Sequence, residues 1–138
     1  MTREEFEKLV EEEFPRAVPE KFHHLIKNVG FLVEDEPSLE LRKQEGLSDN
    51  ETLLGLYHGV PAVARGDFYG VGGTLPDTIT LFQLPIEEEA KALSVRLNLT
   101  EEEALCRVIR ETIWHEVAHY FGYDEHQVRD REDKRNEK

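Results

Sequence analysis

Cysteine occurs only once in this chain, at Cys106, which excludes an internal disulfide framework and any zinc site built from several cysteines. Positive charge is also scarce. Seventeen Lys and Arg stand against 30 Asp and Glu, a formal charge of −13, and that field repels a phosphate backbone and argues against nucleic-acid binding. The same field favours basic peptides as ligands. No apolar run approaches the roughly 20 residues needed to cross a bilayer, so no membrane association is expected. The opening Thr2-Arg3-Glu4-Glu5 lacks a basic segment followed by an apolar one, which leads us to expect a cytoplasmic protein. With 138 residues there is room for one domain, which we place at 1–127 ahead of a charged tail at 128–138.

Local patterning divides the chain into short elements. Thr2 and Glu5 have the spacing of a capping box, and Phe6, Leu9, Val10 and Phe14 recur at helical intervals behind them, predicting a helix over 3–13 that Pro15 ends. A second helix is expected from Pro19, with Phe22, Leu25, Ile26 and Val29 on one stripe and Gly30 as its stop. His23 and His24 beside that stripe read as surface or packing residues, since neither has a second ligand at i+4. Phe31–Val33 and Leu53–Tyr57 read as strands, separated by a short helix over 38–43 that Gly46 closes. Gly66, Gly70, Gly72 and Gly73 have no Lys-Ser/Thr after them, so this segment reads as a hairpin or cleft lip and not as a phosphate loop. Asp77–Leu84 is the strongest strand, β-branched and alternating, and Pro85 then opens a helix. Thr100 and Glu103 form another capping-box pattern, from which an apolar stripe runs through Leu105, Val108, Ile109, Ile113, Val117 and Phe121 to Gly122.

The chemistry lies in that last helix, at His115-Glu116-Val117-Ala118-His119. Residues four apart on a helix lie about 40° apart around the axis, one turn above the other, so His115 and His119 converge on one point and suit a single zinc ion. Glu116 is displaced by one residue, where it serves as general base toward water activated by the metal. Catalytic zinc needs a third protein ligand. Gly122 suits a sharp helix end, and the three residues beyond it span at most about 10 Å, enough to bring Glu125 back beside His119. Asp124 and His126 are also donors at this point, with Glu125 the favoured third ligand. Two larger architectures are not expected. The only methionine is Met1, so no methionine turn follows the motif, and 19 residues after His119 leave no room for a ligand on a distant later helix.

At these residues the sequence resembles the mini-zincins, small bacterial zincin-like metallopeptidases of the Asp-zincin type with the pattern HExxHxxGxxD. The resemblance extends through Phe6–Val10, Val33–Pro37, Leu54–Tyr57 with Gly59-Val60-Pro61, and Leu75–Phe82, covering about residues 3 to 127. It implies an α+β fold of minimal zincin type: a small mixed sheet packed on helices, with a long C-terminal active-site helix. It further implies zinc as the cofactor, His115 and His119 as metal ligands, Glu116 as the catalytic base, and a peptide or protein as substrate. A sheet-edge strand is expected to line the cleft, and Thr78–Leu84 is the candidate by position. This chain departs from the family pattern at Glu125, where the family has Asp; the glutamate reaches one methylene farther.

Two further readings compete with a peptidase. One is a catalytically weak or inactive zincin-fold domain that binds metal or a partner protein. The other is a helix whose histidines are purely structural. Tyr120, Tyr123, His58 and His126 are candidate donors to the oxyanion of a tetrahedral intermediate. Trp114 reads as a core or cleft-wall aromatic, and Cys106 lies too far along the helix from His115 to share a metal with it. Self-association into a homodimer is carried as an expectation.

Overall fold

A computed structural model of the chain describes residues 1–23, 29–59 and 77–121. Helix α1 spans Arg3–Ala17 and is capped by the Thr2 hydroxyl, which accepts from the Glu5 amide at 3.1 Å. It does not end before Pro15, as the sequence suggests. In the last turn proline removes a single helical hydrogen bond, and Val18 N–H closes the turn on the Phe14 carbonyl at 3.1 Å. One face of α1 buries Phe6, Val10, Glu13 and Ala17.

Helix α2 is described over Glu20–His23. His23 acts as a packing residue, its Nε2 lying 2.6 Å from the Val18 carbonyl and its ring stacked on Phe14. His24 lies outside the described residues. Val29 and Gly30, expected at the end of a helix, instead open strand β1 (Val29–Glu34), because they pair in parallel register with Asp77 and Thr78. A long-range pairing has overridden a local apolar stripe.

Helix α3 (Leu39–Gln44) is capped by Ser38, and Gly46 follows it at φ +66°. Strand β2 covers Gly55–His58 and strand β3 Asp77–Phe82. Helix α4 (Gln83–Leu97) begins two residues ahead of Pro85, which sits in its first turn where no amide proton is required; Asn98 ends it in the left-handed region at φ 53°. Helix α5 (Glu101–Tyr120) starts on a complete Thr100–Glu103 capping box. The glycine-rich segment, the boundary at residue 127 and the charged tail lie outside the described residues.

The sheet has the order β1-β3-β2, with β1 parallel and β2 antiparallel to β3. Strand β3 is therefore central, which corrects the expectation that Thr78–Leu84 forms a sheet edge; Gln83 and Leu84 belong to α4. Ile79 and Leu81 of β3 are fully buried against Ile109, Ile113 and Val117 of α5, with Phe6 from α1 and Ile86 from α4 in the same core. Helix α5 touches α1, α4, β2 and β3, so it is the axis on which the rest is assembled. The architecture is the expected α+β arrangement, a small mixed sheet packed on helices with a long C-terminal helix. Among the described residues no helix is long and apolar enough to cross a membrane.

The most deeply buried polar group among the described residues is a carboxylate. Glu13 is 1% exposed, and its two oxygens each receive a guanidinium at 3.1 Å, Arg16 from its own helix and Arg110 from α5. The pairing with Arg110 ties α1 to α5. A buried carboxylate requires such partners, because desolvation of an unpaired charge costs several kcal/mol.

Candidate active site on helix α5

The positions of the site residues follow from the period of α5. Thr112, Glu116 and Tyr120 recur every four residues, and this stripe meets β2: the Tyr120 ring packs edge-on against Tyr57, and both Thr112 and Glu116 lie close to Gly55. His115 and His119 occupy the neighbouring stripe. Both are partly exposed, and their ring centroids stand 5.1 Å apart at an interplanar angle of 67°. The sequence-predicted pair is thus brought together on one helical face.

Glu116 is 7% exposed, and its Oε1 accepts a hydrogen bond of 2.9 Å from the main-chain amide of Tyr57. The carboxylate therefore sits between the imidazole stripe and strand β2. The chemistry of these donors fits zinc: imidazole nitrogens are among its preferred ligands, and one face of the helix carries two of them. Among the described residues no cluster of three His, Cys, Asp or Glu side chains forms a complete metal site. Glu125, Asp124 and His126, the candidates for the third ligand, lie outside the described residues, as do Gly122 and Tyr123.

The candidates for oxyanion stabilisation divide. Tyr120 is only 2% exposed and is packed between Tyr57 and Phe121, so it is a wall of the core and not a donor lining an open cleft. His58 is exposed at the end of β2. Trp114, 8% exposed, is a core aromatic. Cys106 lies well away along α5, beside an open cavity of about 570 Å³ that Arg16, Thr100 and Arg110 also line. Burial pushes its thiol up from the usual range, and the nearby Glu13 and Glu102 carboxylates act in the same direction.

Sequence reasoning missed two residues of the site, Gly55 and Tyr57. The signal for the first was present: an isolated glycine inside a strand pattern marks a close backbone approach. Tyr57 contributes through its main chain, which no side-chain pattern reveals. Its hydroxyl also donates to Asp77 Oδ2 at 2.6 Å, fixing the end of β2 to β3.

A family model described as zincin-like metallopeptidase matches residues 26–135, a span that contains both histidines, Glu116 and the segment after the helix. No curated protein matches the chain. A match over well more than half the sequence, on a fold whose longest helix carries the paired histidines, places the chain in the zincin-like metallopeptidase family.

Proposed function

We propose that this chain is a zinc-dependent metallopeptidase that hydrolyses peptide bonds of cytoplasmic peptide or protein substrates. His115, His119 and Glu125 would hold the metal, and Glu116 acts as general base. The observation that carries the reading is the pairing of two imidazoles 5.1 Å apart with a nearly buried carboxylate on the adjoining residue. Zinc, when bound, supplies Lewis acidity toward water and a substrate carbonyl. The chain's own residues supply the proton handling. Glu116 would accept a proton from the water that attacks the carbonyl and return it to the departing amine; its carboxylate is nearly buried, 7% exposed, beside the paired histidines. Strand β2, and not β3, lies beside the carboxylate.

Replacing Glu116 with Gln in the zinc-loaded protein tests the assignment. The substitution preserves size but removes the charge and the base, so zinc content should hold while turnover of a fluorogenic peptide library falls by roughly 10²–10⁴. Parental turnover in Glu116→Gln overturns the mechanism. A zinc-loaded parent protein that cleaves no peptide supports instead a catalytically weak zincin-fold domain.

A further inference from the structure

We propose that Gly55 and the main-chain amide of Tyr57 form a positioning device for the Glu116 carboxylate, an inference that rests on the reading of Glu116 as the base. Strand register sets the direction of each main-chain group. Phe82 N–H donates to the Leu54 carbonyl at 2.9 Å, so the even-numbered residues Leu56 and His58 exchange hydrogen bonds with β3. The odd-numbered Gly55 and Tyr57 therefore turn their main-chain groups away from β3, toward α5. There the Tyr57 amide meets Glu116 Oε1 at 2.9 Å.

That bond requires β2 to run in contact with the helix. A Cβ at position 55 would lie 2.9 Å from Thr112 Cγ2, 3.2 Å from Glu116 Cγ and 3.2 Å from the Thr80 carbonyl oxygen. Thr112 is poorly able to yield. It is 6% exposed and β-branched, and its hydroxyl donates to the Val108 carbonyl at 2.7 Å. One added methyl group thus wedges β2 off α5 at the level of the carboxylate. A glutamate side chain has three rotatable bonds, and the amide donor selects one of its orientations. Losing about 1 Å of alignment at a reacting group costs on the order of 10²-fold in rate.

The test uses the full-length, zinc-loaded protein and a fluorogenic peptide substrate. Gly55→Ala should lower kcat by roughly 10- to 100-fold with KM and zinc stoichiometry retained. Thr112→Ser deletes the nearest obstructing methyl group but keeps the hydroxyl, so Gly55→Ala/Thr112→Ser should recover part of the lost rate. In a Glu116→Gln background, Gly55→Ala should leave the residual rate unchanged, because the group being positioned is already gone. The amide proton of Tyr57, followed by NMR in the parent and in Glu116→Gln, gives a readout independent of any change at position 55. It should move upfield, while the amides of Leu56 and His58 hold.

Parental kcat in Gly55→Ala overturns the proposal. So does an equal loss in the Glu116→Gln background, an absence of rescue by Thr112→Ser, or an unmoved Tyr57 amide. The two readings fail separately. Full turnover in Glu116→Gln sinks the base assignment, whereas an inert Glu116→Gln beside a fully active Gly55→Ala sinks the positioning device alone.

Discussion

Truncating Ile113 to Ala perturbs the platform of the site without touching the site itself. Ile113 is 0% exposed and lies two residues before His115, packed in the core that joins α5 to the sheet. The substitution removes three buried carbons, and at about 0.8 kcal/mol for each the transfer cost alone is roughly 2.4 kcal/mol. Incomplete collapse of the vacated space raises the expected loss to about 3–4 kcal/mol. A chain of 138 residues has a total stability of roughly 7–20 kcal/mol, so the variant folds but sits nearer its limit. With an unfolding entropy of about 0.29 kcal/mol/K for this length, Tm should fall by about 12 °C. Urea unfolding of metal-free protein measures the loss directly, since removing the metal removes its linkage to folding. Far-UV circular dichroism and emission from Trp114, the single and buried tryptophan, should give coincident transitions. Val95, 85% exposed on α4, supplies the control, and Val95→Ala should stay within about 0.5 kcal/mol of the parent. A loss below about 1 kcal/mol at Ile113 would refute the placement of α5 as the central axis.

Two other perturbations probe the far end of the same helix. Arg110→Ala leaves Glu13 buried with only the largely exposed Arg16, and should cost about 1–2 kcal/mol by denaturant titration; a neutral result would mean that the α1–α5 pairing carries no stability. Cys106, its thiol pushed up first by burial, should alkylate with iodoacetamide several-fold more slowly at pH 7.5 than in the unfolded chain, its rate rising only above the usual thiol range of about 8.5; equal rates would contradict the assignment.

Much of this molecule is written in local chemistry, and those parts are legible from the sequence. The Thr100–Glu103 capping box and the paired histidines depend on residues three or four apart, and each forms where the spacing places it. Failures concentrate where distant segments decide. Val29 and Gly30 fit a helical stripe, yet pairing with Asp77 and Thr78 draws them into β1. The alternation in β3 reveals a strand but not its position in the sheet, because the order β1-β3-β2 is set by which segments meet after folding. Pro15 shows a milder limit: a proline in a final turn sacrifices only one hydrogen bond, and the buried Ala17 beyond it holds the helix together. In the site, the donor residues were visible as a motif. The strand amide that holds the Glu116 carboxylate was not, because every residue but proline carries one.

The central claim is that His115 and His119 grip one zinc ion beside Glu116. Zinc analysis of exhaustively dialysed protein, paired with calorimetric zinc titration, addresses it most directly. The account predicts one tightly held equivalent in the parent and in Glu116→Gln, and its loss in His115→Ala and in His119→Ala. A parent chain that binds no zinc at saturating concentration, or a His115→Ala/His119→Ala double variant that retains a full equivalent, would contradict it.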